Sequence, residues 1–275
     1  MHDERHSLKT QLAMRVQFVL VFVLGGAIVA GTVYQVRHVP YLDFSQVLSW
    51  QYVFLVLLLV GSAISIIRKI ATRFFWEVLL TITLFLGTWY LCLLVLPIGW
   101  ALLIAALLTL SHLFFRNVLL HDIFYLLGAA GVAIDFAGWL SPELLLVGLT
   151  LTAIYDVLAG PPEGTIGQLA QKLIKQGLVP GVVIADRFRD LFTTIDQAMK
   201  RHSAMLGAGD LILPLALVAR AAFVGVWQAG LVTLGTVISA IALARGEMSH
   251  PRMMLPALAL GAAVPFIVLR LLGQI

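Results

Sequence analysis

The chain has 275 residues, of which 61% are hydrophobic and only 12% charged, with mean hydropathy +1.00 and a formal net charge of +4. A water-soluble domain carries roughly 25% charged residues, so a soluble globular fold is excluded. The apolar residues fall in blocks near the length that crosses a bilayer as helix, about 20 residues. They do not alternate as barrel strands do, which leaves a helical bundle as the structure that satisfies its backbone in lipid. Lys and Arg are spread between blocks rather than gathered in one patch, so the basic balance does not point to nucleic acid. Cys92 is the single cysteine, which rules out an intrachain disulfide.

In chain order, a charged N-terminal stretch precedes a run from Val16 to Val33 that is long enough to span, read as a retained first helix rather than a cleaved signal. Nine spans are predicted, at 15–34, 51–67, 74–95, 98–115, 118–139, 142–160, 207–225, 226–244 and 254–273. The fold class expected is therefore all-α, a polytopic nine-transmembrane-helix bundle. The junctions near Pro97 and Gly225 are the least marked in the sequence. Domain organisation reads as one integral membrane unit over 1–275. Residues 1–140 form a five-helix scaffold, and 141–275 carry helices six to nine with one long connection at 161–206. That connection opens on Gly160-Pro161-Pro162, which stops a helix. Ile166, Leu169, Leu173 and Ile174, interleaved with Lys172 and Lys175, then predict a short amphipathic surface helix.

With nine spans, fifteen of the eighteen Lys and Arg residues fall on the side of the N-terminus and of the 161–206 connection. Arg37 and Arg270 fall on the other side, and Arg220 lies within a span. The positive-inside rule places the N-terminus in the cytoplasm and the C-terminus outside.

Acids within spans cost on the order of 3 kcal/mol to insert, so each needs an account. Glu77 lies one turn after Arg73, where a surface ion pair explains it. Asp122, beside His121 and Arg116, is expected to reach the headgroups. Asp135, near Gly138 and Trp139, reads as interfacial. Asp156 and Asp210 differ from these. Each falls about four residues from the cytoplasmic end of its span, on two spans that can be neighbours. Gly207 and Gly209 remove side chains just ahead of Asp210, and Tyr155 sets a hydroxyl beside Asp156. Two carboxylates at one depth suit hydrolysis, one ionised to activate water and the other protonated to polarise a carbonyl. They suit a proton or cation path equally well, and on these residues alone both readings stand.

Tyr155-Asp156, Gly207-Ala208-Gly209-Asp210 and Pro256-Ala257-Leu258 resemble the ordered Tyr-Asp, Gly-x-Gly-Asp and Pro-Ala-Leu motifs of the presenilin and signal-peptide-peptidase superfamily. They fall on the sixth, seventh and ninth expected spans. The stretch Gln176 to Ile184, with Met205-Leu206 and Pro214, is also similar to microbial members. The resemblance covers about 150–275, and the compact chain looks like a prokaryotic cell-membrane homologue. It implies an intramembrane aspartyl endoprotease that hydrolyses transmembrane helices of other proteins without metal or organic cofactor. Asp156 and Asp210 would be the catalytic pair. Tyr155, Gly207, Gly209, Pro256, Ala257 and Leu258 would shape the site, in contact with membrane lipids and substrate helices. The rival readings are a prepilin or preflagellin-type aspartyl peptidase and a transporter or channel using the acids as a relay. A prepilin-type enzyme would lack Pro-Ala-Leu and usually has fewer spans. The seven histidines show no zinc-like spacing, with His112 and His121 on separate helix ends.

Overall fold

The structure, a computed structural model, describes residues 2–36, 73–159, 172–174, 178–185, 187–199, 204–245 and 254–275. The expected second span at 51–67 and most of the expected amphipathic helix at 166–175 lie outside the described residues. Eight long helices are present among those described: α1 (His2–Val36), α2 (Arg73–Leu93), α3 (Ile98–Phe114), α4 (Val118–Trp139), α5 (Pro142–Ala159), α6 (Ala208–Val224), α7 (Val226–Arg245) and α8 (Met254–Leu271). The chain breaks α2 from α3 at a turn ending in Pro97, and α6 from α7 at the single extended residue Gly225. Four of the helices are long and apolar enough to cross a membrane on length and composition, at Leu12–Gln35, Phe74–Leu93, Val118–Trp139 and Val226–Leu243.

Helix α6 is the hub. It packs against α1, α4, α5, α7 and α8, and Leu211, Pro214 to Ala219, Ala221 and Ala222 are all buried. A helix apolar on every face belongs inside a bundle. Small side chains allow this density, since Ala216, Ala219, Ala221 and Ala222 are fully enclosed. By contrast α3 buries only Ala101 and Ala105 and lies at the margin. Its Trp100, Leu107 and Phe114 are exposed, as are Phe74 and Ile82 of α2. That is the surface a lipid-facing wall presents.

Glycine sets the closest crossing. A Cβ on Gly131 of α4 would fall on the backbone carbonyl of Gly87 in α2, and one on Gly87 would fall on the carbonyl of Gly128. The two backbones touch here, so Gly131→Ala requires the helices to part. Overpacking of this kind costs about 1–3 kcal/mol. The expected result is a lower thermal midpoint in detergent for Gly131→Ala, with Gly148→Ala, where nothing lies within 4 Å of the added carbon, as the neutral control.

The all-α expectation needs one correction. Two strands, β1 (Gly181–Ile184) and β2 (Ala204–Gly207), form an antiparallel ladder with Gly181 opposite Gly207 and Ile184 opposite Ala204. The β1 sequence Gly-Val-Val-Ile is buried throughout, and β-branched residues on a packed face favour strand over helix. The connection between these strands is folded as well. A 3₁₀ turn at Phe188–Phe192 and a short helix at Ile195–Met199 are tied to the α3–α4 link by Val118 N–H to Thr193 O and Ile195 N–H to Arg116 O. Val118, Val179, Val183, Ile195 and Ala198 make a small second core beneath it.

Candidate active site

Strand β2 runs without a break into α6, so Gly207 is at once the last strand residue and the helix N-cap. Asp210 is the third residue of the helix, and its Oδ2 accepts the Gly207 N–H at 3.1 Å. An acid in the first turn answers both the orphan N–H groups and the positive end of the helix dipole. A Cβ on Gly207 would lie 3.2 Å from that same Oδ2, so glycine leaves room for the carboxylate. At Gly209 an added Cβ meets nothing within 4 Å, and the residue is exposed. One turn further on, Pro214 has no N–H to offer the Asp210 carbonyl.

Asp156 lies in the last turn of α5, three residues before its end at Ala159. The position of its carboxylate lies outside the described part of the structure. Tyr155 beside it is 52% exposed. Helices α5 and α6 pack against one another, and α8 packs on both. Pro256, Ala257 and Leu258 lie in the first two turns of α8, with Leu258 fully buried and the other two partly so. The chain therefore brings the end of α5, the start of α6 and the start of α8 to one end of the bundle.

An apolar cavity of about 330 Å³ opens beside this point, between α2, α4 and the start of α6. Trp76, Leu80, Tyr125, Pro180, Ala208 and Ile212 are among its walls. The Tyr125 hydroxyl is buried without a hydrogen-bond partner among the described residues, and it lies within electrostatic range of Asp210. Neither Tyr125 nor the strands stood out in the sequence. Tyr125 reads there as one more apolar position in a helix, and four-residue strands leave almost no periodicity.

The edges of the sheet differ. On the outer edge of β1, Gly181 O meets His121 Nε2 at 2.8 Å and Val183 N–H donates to Asp122 Oδ1 at 2.8 Å. Gly181 and Val183 thus turn their polar groups away from β2, and Val182 and Ile184 turn theirs toward it. The register then points the N–H and C=O of Met205 away from β1, on the opposite edge.

The other acids also find partners. Asp122 does not reach for headgroups; it holds a strand. The ion pair expected of Glu77 is made with Arg116 of the α3–α4 link, at 2.5 Å. Asp135 accepts from Trp139 Nε1 at 2.9 Å, one turn along the same helix. At the far end of the bundle Arg270 pairs with Glu143, and Arg220 donates to the Ala137 carbonyl at 3.2 Å. His112 and His121, though on different helices, bring their rings together with centroids 5.1 Å apart. No group of three or more potential metal ligands gathers among the described residues.

The structure is similar to a solved presenilin family intramembrane aspartate protease, with a TM-score of 0.55 over 94% of this chain and 95% of that one, at 22% sequence identity. The chain has a presenilin-type fold. That fold, with its four long apolar helices, makes it an integral membrane protein. No protein-family model matches the sequence, and a search of curated proteins returns no relative.

Proposed function

We propose that this chain is an intramembrane aspartyl endoprotease that cuts transmembrane helices of other proteins, with Asp156 and Asp210 as its catalytic pair. The observation that carries the reading is positional. Asp210 opens the central helix at the end of the bundle where α5 closes with Asp156, in the fold of a protease that works within the membrane.

In this reading one carboxylate takes a proton from water while the other, protonated, gives its proton to the scissile carbonyl oxygen. Water adds to the carbonyl carbon to give a tetrahedral diol. The proton then passes to the amide nitrogen, the C–N bond breaks, and the products are a carboxyl and an amine. Like charges at close range keep one proton on the pair. The residues serve as follows. Gly207 spares the volume that the Asp210 carboxylate occupies, Gly209 leaves its approach open, and Tyr155, Pro256, Ala257 and Leu258 form the surrounding wall. The apolar cavity beside Ala208 receives substrate side chains. The edge of β2 at Met205, turned away from β1, offers backbone groups to an extended stretch of substrate three to five residues from the acid.

A helical peptide bond has its carbonyl tied within its own chain, so the substrate must unwind before it is cut. Purified protein in vesicles, given single-span substrates, is expected to release products whose new ends lie inside the span. Gly or Pro near the cut should raise the rate over an all-Leu counterpart. Products cut only in exposed flanks, or an all-Leu helix cleaved faster, would count against the reading. The rate should also follow a bell in pH, its two apparent pKa values belonging to the pair and to neither residue alone. A flat profile in folded protein would contradict a shared proton.

Gly207→Ala gives a graded test. The new methyl forces Oδ2 of Asp210 to move by a few tenths of an ångström. Since a 1 Å misplacement costs on the order of 100-fold, kcat is expected to fall several-fold with the thermal midpoint unchanged.

A further inference from the structure

We propose that Gln17, His121 and Asp122 form a clamp that holds β1 in place and thereby sets the position of Asp210, making them positioning residues for the proteolysis proposed above, on which this inference rests. A two-stranded sheet has two edges, and an unpaired edge within a membrane protein leaves backbone groups without water. On β1 that edge is closed by side chains. His121 Nε2–H donates to Gly181 O at 2.8 Å, Asp122 Oδ1 accepts from Val183 N at 2.8 Å, and Gln17 Oε1 accepts from Ala185 N at 2.9 Å. Residues 181, 183 and 185 are alternate positions, so one residue of α1 and two of α4 together take the place of a third strand.

The burial of these groups points the same way. Gln17 is 6% and His121 2% exposed. Gln17 Nε2 and His121 Nδ1 have no hydrogen-bond partner among the described residues. Burying a polar side chain is unfavourable unless it makes its hydrogen bonds, and the bond each of these makes goes to β1 or to Ala185 directly after it. The acceptor at Gly181 also fixes the histidine tautomer, with the proton on Nε2.

What the clamp holds is the path to the acid. β1 pairs with β2 through four residues, Gly207 ends β2, and Asp210 bonds back to Gly207. The opposite edge of β2 is the one turned away from β1. The bundle core and the sheet are therefore joined by side-chain bonds, and loosening them should let β1, β2 and the first turn of α6 shift as a unit. The eight helices keep their own packing.

The test compares pairs of variants in reconstituted protein. Asp122→Val and His121→Leu remove a bond, whereas Asp122→Asn keeps an acceptor and His121→Gln a donor. Gln17→Leu and Gln17→Glu form a third, milder pair should an α4 variant fail to fold. Each apolar variant is expected to lower kcat about tenfold, the scale of one buried hydrogen bond lost, with KM within about twofold. Cut positions should spread to neighbouring bonds, and the polar variants should restore both rate and fidelity. Amide hydrogen exchange over 178–185 should quicken in the apolar variants while α6 stays protected. Unchanged exchange at 178–185, or Asp122→Asn as damaging as Asp122→Val, would overturn the clamp. So would faster exchange with kcat and cut position intact. Asp210→Ala is run alongside: cleavage that survives it overturns the protease reading, while the exchange data still judge the clamp.

Discussion

Alanine at either Asp156 or Asp210 is expected to abolish cleavage, by on the order of 10³-fold or more, with the double variant no worse than either single one. In the proposed mechanism the two acids divide one task. With one carboxyl gone, no arrangement of a single proton both activates water and polarises the carbonyl. Asp210 carries a second, structural job through its bond to the Gly207 N–H, and losing such a cap costs about 1 kcal/mol. Asp210→Asn separates the two roles, because its amide oxygen can keep the cap but cannot exchange a proton with water. It is expected to be as inactive as alanine and closer to wild type in thermal midpoint. Activity retained by Asp210→Asn would remove Asp210 from the chemistry even if Asp210→Ala were dead.

Much of the bundle is legible in the sequence because lipid makes strict demands. A helix must satisfy its own backbone across the membrane, so each apolar block announces a span, and the described helices start and stop within a few residues of where hydropathy places them. The exception is α1, which begins at His2, well ahead of the expected Arg15, because its charged first turns continue the helix beyond the apolar run. Even the two weakest junctions fall at Pro97 and Gly225, where a ring without an N–H and a residue without a side chain break the ladder. The sequence is silent where structure depends on distant partners. Nothing in Val183-Ile184-Ala185 says that the Ala185 N–H will be met from Gln17, 168 residues away, and a four-residue strand is too short for its period to speak. Asp122 shows the same limit. Its place near a helix end suggests headgroups, yet the nearest donor in space is a strand amide. As candidates, Asp156 and Asp210 stand out in the sequence because a carboxylate in an apolar block is rare and costly. The buried hydroxyl of Tyr125 was hidden by the ring that carries it.

Substrates with an outside N-terminus and a cytoplasmic C-terminus are expected to be cut at least about tenfold faster than the same spans inverted. The argument begins with charge. On the nine-span reading, fifteen of eighteen basic residues would lie on the side of the 161–206 connection, and the positive-inside rule would put that side in the cytoplasm. Continuity of the chain would then set the end of α5 and the start of α6 on that face, with Asp156 and Asp210 each within one turn of it, or about 5 Å of helix. Cuts should therefore fall in the cytoplasmic third of the substrate span. Direction follows from chirality. Met205 presents its N–H and C=O from a strand of fixed polarity, and a peptide laid along that edge in reverse places different atoms beside the acids. Each helix reaching the site from lipid arrives in the direction its own topology dictates. An enzyme fixed in one orientation thus reads the orientation of its substrate. Tags on each terminus, probed with protease in sealed vesicles, test the sidedness, and matched substrates of both orientations test the selection. A cytoplasmic C-terminus would break the link from charge to sidedness. Equal rates for both orientations would show that the strand edge does not set the direction of the substrate.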